Sequence, residues 1–328
     1  MSISRRTALL AALAMPATSL SRVVGLPAVR VGVLRFGTVS WELDVIRHHK
    51  LDTVNGVAVE PVEFAGAAAA QVALQAERVD TIVLDWLWVS RQRDSGADWT
   101  FVPFSNAVGS LIARPSSPVR KVTDLPGRRL GIAGSPLDKS WLILRAYAQR
   151  RYGIDLDRTV DKSFAAPPLL EQELLAARLD AVLTQWAFAA RAEAAGMRPV
   201  LSVEAAIEGL GVGTGVPIIG YVFSEHWAAD NFAAMQGFLA ASRAARDILA
   251  RSDTEWERLA PLLGSADIAV QAQLKAYYRR GIPREGSGQS GQAEAAALYR
   301  VLADIGGPAL VGRADNLAEG TFWQPKLL

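Results

Sequence analysis

From residue 29 onward, short apolar runs alternate with stretches whose apolar positions recur every three to four residues. That alternation predicts a mostly parallel sheet flanked by helices. Val29, Val31 and Val33 predict a first strand, which breaks at residues 35–40 (RFGTVS). There Gly37 permits a tight turn, and Thr38 and Ser40 offer hydroxyls suited to cap a helix running from about Trp41 towards Lys50. Asn55-Gly56 marks a turn before a second strand over 57–64, in which Pro61 points to a sheet edge because proline has no N–H to give a ladder. Gly66 and the alanines after it open a second helix ending near Asp80, followed by a short buried strand over 81–84.

Further strands are predicted over 101–104 and 111–113, and the proline-rich, aperiodic segment 114–118 (RPSSP) reads as a crossing between two lobes. A second unit then opens with a turn at Pro126-Gly127, a strand over 129–133 and a Gly134-Ser135-Pro136 turn. A helix follows with the stripe Trp141, Leu144, Ala148 and Tyr152. A helix over 169–178 precedes a strand over 180–184, and after the glycine-rich segment 209–215 a strand over 217–223 is placed to return the chain to the first lobe. The remainder predicts helices over 232–250, 256–263, 268–279 and 293–305, with 281–291 as an exposed loop. No fixed-period repeat is visible, which excludes solenoids and propellers. The expected organisation is an export signal over 1–28, a first lobe over 29–115 plus 220–328, and a second lobe over 116–219.

A length of 328 residues suits two α/β units. The 35 Lys and Arg against 33 Asp and Glu are interspersed without a basic block, which argues against nucleic-acid partners. No cysteine is present, so disulfides, thiolate metal sites and cysteine nucleophiles are excluded. Arg5 and Arg6, the uncharged apolar run over 7–16 and the small residues Ala17, Thr18 and Ser19 make a bacterial export signal. The Ser-Arg-Arg start suggests the twin-arginine route, with the general secretory route as the alternative. The apolar run falls well short of the roughly 20 residues a spanning helix needs, so the expected location is the periplasm, without stable membrane insertion.

Four features of this succession resemble the type II periplasmic solute-binding proteins of ABC transporters, in the branch serving nitrate, sulfonate, taurine and thiamine precursors. They are the Gly-Thr turn within 31–40, the Asp-Leu-x-Gly-Arg-Arg pattern within 122–133 with its Gly134-Ser135 turn, the strand over 179–186 leading to Trp186, and the C-terminal segments 259–263 and 273–280. The likeness spans nearly all of residues 29–310. It departs at Trp186-Ala187-Phe188, where the branch often continues Trp-Asp-Pro. The resemblance implies two Rossmann-like α/β lobes joined by a two-segment hinge around a ligand cleft. It further implies capture of a sulfonate-like anion or a heteroaromatic, thiamine-precursor-like solute by lobe closure, a permease partner at the inner membrane, no cofactor, and action as a monomer.

Open α/β sheets bind ligands beyond the carboxyl ends of their strands. The loops there carry Arg35, Gly37, Thr38, Ser40, Trp41, Gly66, Asp85, Trp86, Gly134, Ser135, Trp141, Gln185 and Trp186 as candidate ligand contacts. The turns at 38–40 and 134–135 precede helices whose free N–H groups suit a carboxylate or sulfonate, although the same hydroxyls would serve as helix caps. Trp41, Trp86, Trp88, Trp141 and Trp186 would stack on a planar or cationic solute or pack the lobes, and at least two of them are expected in the core. Asp85 would receive an amine or hydroxyl, or cap a helix, and Arg35 would supply charge to an anion. Enzyme readings are weaker. His48, His49 and His226 are too few and too poorly spaced for zinc, with the first two expected to face different directions, and no Walker loop or nucleophile elbow occurs. An enzyme on the same scaffold and a periplasmic sensor or accessory protein stand as alternatives.

Overall fold

A computed structural model describes residues 25–324 except Phe36, Thr214 and 284–286. The expected export segment, with Arg5 and Arg6, lies outside the described residues up to residue 24. The strands are β1 (Ala28–Leu34), β2 (Ala58–Phe64), β3 (Thr81–Leu84), β4 (Trp99–Ser105), β5 (Ser110–Ala113), β6 (Arg129–Ala133), β7 (Asp161–Ala165), β8 (Ala181–Thr184), β9 (Arg198–Ser202) and β10 (Ile219–Ser224). They form two five-stranded sheets, ordered β2-β1-β3-β10-β4 and β7-β6-β8-β5-β9. In each sheet the first three strands are parallel, and the fourth, β10 or β5, runs antiparallel to both its neighbours.

The two sheets therefore share one topology, and the likeness extends to residues. The helices Ala67–Gln75 and Pro167–Leu175, the strands β3 and β8, and the helices Trp86–Asp94 and Trp186–Ala194 recur at a constant offset of 100 positions. At the foot of β3, Asp80 accepts the Arg30 backbone N–H at 2.7 Å and the Arg30 guanidinium at 2.5 Å. At the foot of β8, Asp180 holds Arg129 in the same way, at 2.9 and 3.3 Å. Glu77 and Ala177, one turn before these aspartates, both adopt positive φ. The expectation of no fixed-period repeat is thereby corrected: elements recur with a period of 100 residues, far longer than the roughly 20–50 residues of solenoid and propeller repeats.

Three expectations are corrected. The strand β5 belongs to the second sheet, so the chain leaves the first sheet through residues 106–109 and not through 114–118. The apolar residues of β5 are fully buried between β8 and β9, whereas Ser117 turns back to donate to the Asp180 carbonyl at 2.7 Å. The C-terminal region does not pack on the first lobe alone: the helix Ser287–Gly306 lies on Lys139–Tyr152 of the second lobe, where Arg150 meets Asp304 at 3.2 Å and Leu298, Tyr299 and Leu302 are buried with Trp141 and Leu142. That helix also takes up the latter half of the expected 281–291 loop. The strands β7 and β9 went unanticipated because both are short edge strands carrying charge or proline, as in Asp161, Lys162, Arg198 and Pro199. Pro61 sits, as expected, on the edge strand β2.

At the outgoing crossing, a Cβ on Gly109 would lie 1.8 Å from the Thr184 carbonyl oxygen, a backbone atom that cannot move aside. Gly109→Ala is therefore expected to cost at least about 2 kcal/mol, measured by urea unfolding. A loss below about 0.5 kcal/mol would mean the crossing yields easily.

Candidate ligand cleft

The two sheets face each other across a cleft of about 1550 Å³ of empty space, its open mouth included. Its walls come from the carboxyl ends of β1, β3 and β8, the starts of the helices that follow them, and the crossings at 107–109 and 218–219. Because each parallel strand runs into a helix through a short loop, helix N-termini point inward, and their unpaired N–H groups give the cleft a positive lining.

Those helix starts fall into two kinds. Asp85 caps Trp86–Asp94 by accepting the Trp88 N–H at 2.9 Å, and Asp138 caps Lys139–Tyr152 by accepting from Ser140 and Trp141 at 2.9 and 3.3 Å. By contrast, the helices beginning at Val39, Ala67 and Trp186 carry no side-chain cap from Thr38, Gly66 or Gln185. All three open starts contribute cleft-lining residues.

Across the gap Lys139 Nζ donates to Asp85 Oδ2 at 2.8 Å, joining the second lobe to the first. Burial pushes the Asp85 carboxyl up, but the Lys139 charge and hydrogen bond and the N–H groups of Trp88 and Leu87 outweigh it and hold the carboxyl below its ordinary value. Burial likewise works to lower the Lys139 ammonium, and the attraction of Asp85 reverses this and raises it. Asp138 is raised, chiefly by burial, with Lys139 and the capped N–H groups opposing.

Of the residues singled out from sequence, Gly37, Thr38, Asp85, Trp86, Gln185 and Trp186 line this cleft together. Ser40 instead donates to the Gly37 carbonyl at 2.7 Å, and Arg35 lies exposed 3.8 Å from Glu63. Gly66 sits one residue before the lining Ala67, and Gly134 and Ser135 form an exposed turn whose Ser135 Oγ accepts the Leu137 N–H. Trp141 is buried edge-on against Phe164, and Trp41 packs among Trp186, Trp256 and Tyr278, so neither reaches the cleft. Trp88 is likewise core, against Trp99. Even the lining tryptophans spend most of their surface on packing: Trp86 is 1% exposed and donates through Nε1 to the Pro217 carbonyl, and Trp186 is 9% exposed and stacks on Tyr277.

Sequence reading passes over Lys139, Asp138 and Ser140. Their signal was available: a lysine directly after an Asp in cap position, one turn past a Gly-Ser-Pro turn that follows a strand.

No family model and no curated protein matches the chain. Solved structures do match along almost the whole length. The periplasmic aliphatic sulphonate binding protein SsuA from Escherichia coli is 19% identical with a TM-score of 0.69, covering 92% of this chain and 93% of its own. The alkanesulfonate-binding protein SsuA from Xanthomonas axonopodis pv. citri, bound to MOPS, is 18% identical with a TM-score of 0.66, covering 90% and 98%. A Candida albicans gene product described as having the generic periplasmic binding protein structural fold is 12% identical with a TM-score of 0.62, covering 92% and 99%. The chain has the periplasmic binding protein fold. The resemblance read from residues 29–310 is thus borne out in its fold. No helix among the described residues is long and apolar enough to cross a membrane.

Asp85→Asn keeps a helix cap but removes the charge paired with Lys139. It is expected to lower stability by about 1–3 kcal/mol at neutral pH. Since the folded carboxyl is held below its unfolded value, its contribution is present above an unfolded pKa of about 3.9 and is lost as pH falls through the folded value. The raised Lys139 keeps its contribution until pH climbs past about 10.4. The deficit of the variant should therefore be constant between about pH 5 and 9 and shrink in acid. Urea unfolding of both proteins checks this, and a deficit undiminished at about pH 2.5 would exclude the ion pair as its source.

Proposed function

We propose that this chain is the extracytoplasmic solute-binding component of an ABC importer, which captures a small organic anion by closing its two lobes and presents the closed form to a permease. The carrying observation is the convergence of Lys139 and three uncapped helix N-termini on one cleft whose remaining walls are largely apolar. Backbone N–H groups at a helix start bind an anionic oxygen with little reorganisation, and an ammonium facing them adds a full charge. Apolar side chains such as Leu84, Val108, Phe188 and Ile219 would take up an organic remainder. The solved neighbours described as sulfonate-binding support an oxyanion of that class.

Asp85 occupies Lys139 in this structure, so an incoming anion competes with it. A simple anion gains from removal of Asp85, whereas a solute that also carries an amine loses a partner. The heteroaromatic alternative draws on the edge of Trp186 in the wall, although most of that ring is committed to Tyr277 and Trp41. The capping role of Asp138 and the pairing of Asp85 account for both carboxylates in the cleft lining, which favours capture over catalysis.

A thermal-shift screen of the mature chain against alkanesulfonates, aminosulfonates, nitrate, thiamine precursors and aromatic acids tests this. At a hundred times its dissociation constant a ligand adds about 2.7 kcal/mol. The expected result is a shift with organic anions that Lys139→Gln weakens at least about tenfold, near 1.4 kcal/mol, with Asp85→Asn strengthening simple anions and weakening aminosulfonates. A shift confined to thiamine precursors and insensitive to Lys139→Gln would favour the heteroaromatic reading, and turnover of any candidate would favour an enzyme.

A further inference from the structure

Away from the cleft, at the far end of the helix whose start lines it, the structure gathers His48, His49 and Glu255. One ligand-capable atom from each lies within 4.8 Å of the others. We propose that these three side chains form a binding site for a divalent transition cation, Zn²⁺ by their chemistry, with one coordination position left to solvent.

The local backbone explains how adjacent histidines come to share a site. His48 is the last residue of the helix Val39–His48, and His49 is its C-cap, with φ −90° and ψ 3°. Within a helix neighbouring side chains diverge, but His49 has already left it, and its ring meets that of His48 edge-on with centroids 4.8 Å apart. The expectation that these two residues face different directions is thereby corrected. Both rings stand exposed at the helix end where unpaired carbonyl groups favour a cation.

The third donor is held in advance. Glu255 is nearly buried, its N–H donates to Ser252 Oγ at 3.1 Å, and its Oε1 accepts Arg258 at 2.9 and 2.6 Å. Arg258 also grips Asp44 at 2.6 Å, and Asp44 in turn holds Arg47, so the neighbouring charges cancel while Oε2 faces His49. His49 Nε2 already lies 3.2 Å from that Oε2. Donors bound to one tetrahedral Zn²⁺ at roughly 2.1 Å sit about 3.4 Å apart. The His49–Glu255 pair meets that spacing as it stands, and an exposed His48 imidazole closes the remainder by rotating its side chain. Two imidazoles and one carboxylate select Zn²⁺ over Mg²⁺ or Ca²⁺, which prefer all-oxygen shells. A bound ion would pin the helix Asp253–Leu259 to the end of Val39–His48.

The untagged chain, freed of metal, is titrated with Zn²⁺ by calorimetry and with Co²⁺ by visible absorption. The expected result is one ion per chain and a four-coordinate Co²⁺ spectrum, with His48→Gln and His49→Gln each weakening binding at least about tenfold. Because His48 is exposed and its side chain makes no hydrogen bond among the described residues, the His48→Gln variant should unfold at the parent temperature when metal is absent, which separates lost ligation from lost fold. Unchanged affinity in the doubly substituted chain, or a Co²⁺ spectrum that stays that of the hydrated ion, would overturn the proposal.

Discussion

The arrangement depends on one constraint: a parallel strand that passes directly into a helix must place that helix's N-terminus at the strand's carboxyl end. β1, β3, β6 and β8 all obey it, leading into the helices that begin at Val39, Trp86, Lys139 and Trp186. Repetition of one topology in two sheets, turned to face each other, gathers these ends around a single cleft. A concentration of unpaired N–H groups is then unavoidable, and each needs a partner. The chain answers two of the helix starts with carboxylates, Asp85 and Asp138, and leaves those at Val39, Ala67 and Trp186 open.

On the proposed reading, the cleft consequently holds an internal stand-in for an anionic guest. Asp85 satisfies both a helix start and Lys139, and through Lys139 it ties the lobes together before any solute arrives. Such a pair, partly shielded from water, costs desolvation that its mutual attraction must recover. A guest that displaces Asp85 from Lys139 recovers the same attraction with its own charge, while the open helix ends add interactions that Asp85 cannot reach. Selectivity for the guest then rests on those open ends and on the apolar walls, and less on the charge of Lys139, which Asp85 also satisfies.

Much of the fold was legible because it is written in local pattern. Alternation in Val29, Val31 and Val33, the Asn55-Gly56 turn and Pro61 place β1 and the edge strand β2 without reference to distant residues. What escaped depends on partners far along the chain. β5 is apolar wherever it pairs, and only its register with Leu183 and Leu201 assigns it to the second sheet. The site was legible in its loops but not in its side chains. Thr38, Asp85 and Gln185 were found because a strand end is a local feature, whereas the burial of Trp41 and Trp141 depends on Trp256, Tyr278 and Phe164, which come from other elements. Lys139 carries a local signal, but its partner Asp85 lies 54 positions away and only the fold brings the two together.

The same long-range contacts limit how the cleft can open. Among the described strands, the chain passes between the sheets from β4 to β5 and again from β9 to β10, yet the C-terminal helices also touch both lobes. Tyr278 of the helix Ile268–Arg280 lies in the first-lobe cluster with Trp41 and Trp256, while its neighbour Tyr277 stacks on Trp186 and bonds Glu193 of the second. Arg191 adds a bond of 2.6 Å to the Leu263 carbonyl. A rotation that parts the helix Trp186–Ala194 from these residues uncovers the Trp186 ring, and exposing a large apolar side chain costs about 1.5–3 kcal/mol. If capture proceeds by lobe closure as proposed, an arrangement held by these contacts carries a bias of its own, and a ligand contributes only its preference for closed over open. Since Trp186 supplies both that bias and an edge of the cleft wall, trimming its ring would act on the lobe equilibrium through aromatic packing, whereas a change at Lys139 would act on it through the pair with Asp85 and leave this packing in place.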